Sequence, residues 1–234
     1  MISTGPAMAF SDACRVTVRG RGGHGSRPED TIDPVRLACH MVVRLQSVVS
    51  REVPPQESVV VTVATFHAGL KENVIPATAE FTINVRNLNA DAREEVLAGL
   101  RRVILAEAPA SGARQPQIEE RHQFPLLIND PETTDRGKAA LGAAIGPDNI
   151  LGHPAQMSSE DFGALPDPIG VPGVYWFSGG MPDEVIDGDE PVPSNHSPLL
   201  APIIEPTLTT GVTAAYTAIM SRVGSGNGRD TGGA

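Results

Sequence analysis

Apolar and polar side chains alternate from residue 13 to 19, with Cys14, Val16 and Val18 on one face and Arg15, Thr17 and Arg19 on the other. A period of two is the pattern of a half-buried strand. GRGGHGSRPEDTIDP follows at 20–34, and its Asp33-Pro34 reads as an N-cap with proline at the first helical position. Val35, Ala38, Met41, Val42, Leu45, Val48 and Val49 then recur at helical spacing until Pro54-Pro55. SVVVTVATF (58–66) is β-branched and reads as a strand. Residues 79–86 alternate again, with Ala79, Phe81, Ile83 and Val85 inward. Asp91 with Glu94 is the expected start of a second helix lined by Val96, Leu97, Leu100, Val103 and Ile104. A short strand is expected at 118–122. The order strand, helix, strand, strand, helix, strand predicts a split βαβ arrangement, four antiparallel strands with two helices on one face, over 12–122.

The remainder has a different rhythm. A helix is expected over 132–145, a polar loop at MSSEDFGALPD, a strand at GVYWFSG (173–179), and a long acidic loop at DEVIDGDEPVPSNHSP. Leu208, Val212, Ala215, Tyr216, Ile219 and Met220 define a last amphipathic helix, before a glycine-rich tail at 224–234 that is expected to be disordered. Two apolar helix faces against at most two strands is too little sheet, so part of this core is expected to come from elsewhere.

Composition narrows the function. The 234 residues carry a net charge of −10, which repels phosphate backbones, and aromatics are only 4%, so nucleic acid is not an expected partner. No apolar run is long enough to span a membrane. MISTGPAMAFSDA has no basic start and long apolar stretch, so no secretory leader is expected. The two cysteines, Cys14 and Cys39, read as buried thiols in a reducing cytoplasm. His24, set among glycines between a strand and a helix, is either presented to a ligand or an ordinary solvated loop residue.

GRGGHGSRPEDTIDPV, NVIP (73–76), INVRNL (83–88), NDPE (129–132), MSSEDFGAL (157–165) and NHSPLLAP (195–202) occur in series along nearly the whole chain. Together they resemble zinc-dependent amidohydrolases of the aminoacylase and carboxypeptidase family, hippurate hydrolases and indole-acetyl-amino-acid hydrolases in particular. The resemblance covers the C-terminal part of such enzymes. It implies a fold of the α+β / α/β class, a ferredoxin-like βαββαβ lid that mediates dimerisation plus the last segment of an α/β catalytic domain. The implied boundaries are a linker at 1–11, the lid at 12–122 and the catalytic segment at 123–223. A first catalytic segment, with most metal ligands and the general-base glutamate, is expected outside this chain.

The same resemblance implies the site. His24 would be the catalytic lid histidine that reaches into a partner subunit and donates to the amide oxygen. Close relatives often have a second histidine after the proline where this chain has Glu29, which leaves substrate preference open. Asn73 and Arg86 would bind the substrate, Arg86 through its carboxylate, against the plainer readings of a turn asparagine and a solvated strand face. Ser159 and Glu160 would line the pocket, and Gly179 and Gly180 would let substrate approach, against an ordinary turn. His196, otherwise one loop histidine among six, would ligate one of two divalent metals, zinc with manganese or cobalt as alternatives. The implied reaction is hydrolysis of the amide bond of an N-acyl amino acid or small peptide, with the chain inactive alone and a homodimer through the lid. The alternative from another class is a non-catalytic dimerisation or small-ligand-binding module with a ferredoxin-like fold.

Overall fold

A computed structural model describes residues 1–223. Its strands are β1 (Gly5–Met8), β2 (Phe10–Arg19), β3 (Gly23–His24), β4 (Val59–Ala68), β5 (Val74–Ile75), β6 (Thr78–Asn87), β7 (Gln117–Phe124) and β8 (Leu127–Asn129). Its helices are α1 (Pro34–Glu52), α2 (Ala90–Ala110), α3 (Pro131–Ile145), α4 (Asp183–Ile186) and α5 (Thr207–Val223). The tail expected at 224–234 lies outside the described residues. The chain divides into two units: residues 8–127 with 155–169, and residues 1–7 with 128–154 and from 170 onward.

In the larger unit the four long strands lie in the order β4-β6-β2-β7, every neighbouring pair antiparallel. Val16, Val18, Phe81, Ile83 and Val85 pack from the sheet against Leu37, Met41, Leu45 and Val48 of α1 and Val96, Leu100 and Ile104 of α2. Each such side chain contributes about 1.5–3 kcal/mol on burial, so the period-two and period-3.6 stripes amount to one core. The Asp33 side chain accepts from the Val35 and Arg36 N–H groups, and caps α1. The cap of α2 is Asn89, which accepts from the Asp91 and Ala92 N–H groups, not the expected Asp91. Asp12 lies on the core face and is 5% exposed. Its carboxylate accepts from Arg93 Nε and Nη2 at 2.7 and 2.6 Å. That fork satisfies a charge that would be costly to bury alone.

Cys14 is half-buried, but Cys39 is exposed, contrary to expectation. It follows Ala38 on α1, and one residue turns a helix by about 100°, away from the buried stripe.

In the smaller unit β1 pairs with β8. GVYWFSG is not a strand, contrary to expectation. Its backbone is held by single groups and not by a ladder. Asn129 donates to the Tyr175 and Ser3 carbonyls, each at 2.8 Å, and accepts from Tyr175 N–H at 2.7 Å. Phe177 N–H donates to the Met1 carbonyl at 2.9 Å. The stripe of α5 remains largely exposed, with Leu208, Val212, Tyr216 and Ile219 each at least 60% accessible. Among the described residues, no helix is long and apolar enough to cross a membrane.

Candidate active-site elements

The glycines around His24 have a steric reason. A Cβ on Gly22 would lie 2.7 Å from the Ile75 carbonyl oxygen, and one on Gly25 would lie 3.1 Å from that of Asn73. Without side chains there, β3 closes onto β5 with His24 opposite Val74, and Gly25 N–H donates to the Asn73 carbonyl at 2.8 Å. The ladder sets His24 beside Asn73, both exposed.

The imidazole is also oriented. Ser26 N–H donates to His24 Nδ1 at 3.2 Å, and the Ser26 hydroxyl lies 2.8 Å from the same nitrogen. A backbone N–H can only donate, so Nδ1 accepts and the neutral ring carries its proton on Nε2. His24 is thus an exposed N–H donor in a fixed tautomer. Ser26 is the residue that sequence reasoning missed, since no motif signals which ring nitrogen a neighbour will engage.

Arg86 belongs to a second cluster. It extends from β6 on the face away from the helices, where Asn84 Oδ1 accepts from its Nε at 2.9 Å. Its Nη1 donates to the Ser159 hydroxyl at 3.0 Å and to the Met157 carbonyl at 3.2 Å. Asn84 in turn donates to Ser11 at 3.0 Å. Ala9 N–H, donating to the Gln156 and Ser158 carbonyls, holds the same segment down. These bonds occupy Nε and both N–H groups of Nη1 and leave Nη2 able to meet an anion. Glu160 is half-buried next to Ser159, and Asp161 is exposed.

The two clusters do not meet within one chain. Thr78 of β6 stands opposite Arg19, just before the His24 turn, and Arg86 stands opposite Ser11. Eight residues of strand separate these positions, on the order of 25 Å.

The other candidates lie in the smaller unit. Gly180 approaches Pro202, where a Cβ would come within 3.2 Å, and its carbonyl accepts from Ile203 N–H. Gly179 has open space around it. Neither glycine has a positive φ, so neither turn demands glycine for its backbone. His196 is exposed and has a φ of 68°, the only non-glycine in the left-handed region among the described residues. A residue held there costs free energy, and such positions concentrate at functional sites. Among the described residues no group of three or more His, Cys, Asp or Glu side chains is placed to hold a metal ion.

Residues 11–111 match the peptidase dimerisation domain of the M20 family. The chain is similar to hippurate hydrolase of Campylobacter jejuni, 36% identical over 163 residues, which are 69% of this chain and 42% of that protein. It superimposes on the crystal structure of a putative aminohydrolase from methicillin-resistant Staphylococcus aureus with a TM-score of 0.72. The identity there is 26%, covering 94% of this chain and 53% of that one. A Bacillus subtilis protein described as a dinuclear metal-binding peptidase of the M20 family shares the fold, with a TM-score of 0.62 at 24% identity. That likeness covers 94% of this chain and 51% of that one. The chain spans less than half the length of the curated relatives it matches. With the βαββαβ sheet and the dimerisation-domain match in the same stretch, residues 11–111 are a peptidase dimerisation domain of the M20 family.

Proposed function

We propose that this chain supplies the lid and part of the catalytic domain of a metal-dependent amidohydrolase that cleaves N-acyl amino acids or small peptides. The observation that carries the reading is His24, an exposed imidazole whose Nδ1 is engaged by Ser26, which leaves its Nε2–H as the donor. A neutral N–H donor suits an amide oxygen that gains negative charge as water adds to the carbonyl. Asn73 accompanies it as a substrate contact. Arg86, held by Asn84 and Ser159, offers Nη2 to the substrate carboxylate, with Ser159 and Glu160 lining that end of the pocket. Because His24 and Arg86 lie far apart in one chain, a working site takes His24 from one subunit and Arg86 from the other, in a homodimer through the lid.

A divalent metal pair, zinc first and manganese or cobalt next, would activate the attacking water when bound. The described residues of this chain do not assemble its ligands, so His196 serves as one ligand at most. The remaining ligands and the general base belong to a catalytic segment outside this sequence. The exposed stripe of α5 supports such a segment, which would cover it. A reducing cytoplasm suits the two free cysteines.

The test is hydrolysis of N-benzoylglycine by this chain with added zinc or manganese, with and without a supplied N-terminal catalytic segment from a relative. Activity should need the segment, and His24→Ala should lower turnover roughly a hundredfold to a thousandfold. A dimer that stays inactive in the reconstituted mixture would favour a non-catalytic dimerisation or ligand-binding module.

A further inference from the structure

The inner face of the four-stranded sheet is covered unevenly. β7 sets Ile118, Glu120 and Gln123 opposite Val16, Cys14 and Asp12, with a register shift between Ala13 and Cys14. Where β2 and β6 present mostly apolar side chains to the helices, this edge strand presents a carboxylate and an amide. Closing α2 onto them would bury both without partners, which is costly. A cavity of about 230 Å³ remains between α2 and the strands. Cys14, Ile83 and Val85 line its floor and Leu97 and Ile104 its wall, while Arg101 and Glu120 stand at its rim. Arg101 has no ion-pair partner among the described residues, and neither rim residue makes a hydrogen bond there.

Asp12 also lines it, with its charge met by Arg93. A largely apolar chamber with Arg101 and Glu120 at its mouth, neither in an ion pair or hydrogen bond among the described residues, is complementary to a zwitterion that carries an apolar side chain. An apolar cavity of roughly 150 Å³ accepts benzene, so this one has room for a phenyl or isobutyl group. The protein's net charge of −10 disfavours a simple carboxylate, whereas a zwitterion brings no net charge. We propose that this cleft binds a free α-amino acid with an apolar side chain, its carboxylate on Arg101, its ammonium on Glu120 and its side chain over Cys14, Ile83 and Val85. The hydrolysis proposed above would release such a molecule, but the cleft is read from its own geometry and does not depend on that reaction.

Calorimetric titration of the purified chain with L-phenylalanine, without metal or acyl substrate, tests this. Saturable binding is expected. N-acetyl-L-phenylalanine, which lacks the ammonium, and phenethylamine, which lacks the carboxylate, should each bind at least about tenfold more weakly. Ala98→Phe, at an exposed position on the cavity lining, should abolish binding, and the exposed Arg101→Gln should weaken it about tenfold. No saturable heat up to about 10 mM ligand, equal binding of the acetylated compound, or full binding by both cleft variants would overturn the proposal. Binding lost in Arg86→Ala but kept in Arg101→Gln would move the ligand to the other cluster and overturn it equally.

Discussion

His24 and Arg86 lie at opposite ends of the four-stranded sheet: the His24 turn, on the small β3-β5 ladder, follows Arg19, which faces Thr78, and Arg86 faces Ser11 eight residues further along β6. If one substrate needs both, two chains must cooperate, and mixed dimers can show this. His24→Ala and Arg86→Ala should each be nearly inactive in the reconstituted enzyme. A dimer of one with the other retains one site with both residues intact. Random mixing should therefore restore about a quarter of the wild-type activity. Failure of the mixture to exceed either parent would mean that each site draws both residues from one chain.

Ser26 orients His24 through a backbone and a hydroxyl contact, of which only the hydroxyl can be removed by substitution. Ser26→Ala keeps the N–H that fixes the tautomer, so turnover should fall only a few-fold, against the hundredfold or larger loss expected for His24→Ala. Equal losses in a side-by-side kinetic comparison would mean that the hydroxyl itself touches substrate.

Two fully buried asparagines should respond to leucine with opposite signs. Asn129 makes three hydrogen bonds that join Ser3 and Tyr175. Asn129→Leu strands those backbone groups and should cost about 3 kcal/mol. Asn87 is equally buried, but its amide has no hydrogen-bond partner. Asn87→Leu should be neutral or stabilising by about 1 kcal/mol. Urea unfolding of the two variants reads both signs.

Gly99 lets α2 approach α1: a Cβ there would lie 2.9 Å from Val48 Cγ1. Val48 is buried, and its branched side chain has few rotamers to choose from. Gly99→Ala gains helix propensity of about 1 kcal/mol and pays a steric cost of about 1–3 kcal/mol, so the net change should be destabilising. Adding Val48→Ala removes the clash, and the double-mutant cycle should show a favourable coupling. Strict additivity would mean that the helices part without strain.

Burial, reinforced by Glu120 and then Asp12, pushes the Cys14 thiol up to about 11 from the ordinary 9.0. The folded state therefore holds this proton after the unfolded chain has released it. Stability falls as pH rises from about 9 towards 11, because ionisation favours the unfolded chain. Between pH 8 and pH 10.5 the wild type should lose more stability than Cys14→Ala, as read from denaturant midpoints. Identical losses would place Cys14 in a solvated setting.

The dimerisation domain was legible in the sequence because its patterning is local. Alternating strands at 13–19 and 79–86, the Asp33-Pro34 start and the α1 stripe each follow from a repeat that needs no distant partner. The glycines around His24 likewise announced a close backbone approach. The structure decided what depends on neighbours. Asp91 and Asn89 are both plausible caps, and the chain path into α2 selects Asn89. GVYWFSG has strand-like residues, yet a strand exists only with a ladder beside it, and here Asn129 and Met1 occupy that place. Cys39 fits an apolar run but falls on the outer side of α1 once Ala38 faces the sheet. Arg86 reads as a strand-face cation, and only the fold brings Ser159 to it from 73 residues away and carries His24 to the far end of the sheet. Periodicity encodes which face of an element is buried, while the partner across that face is a property of the assembled chain.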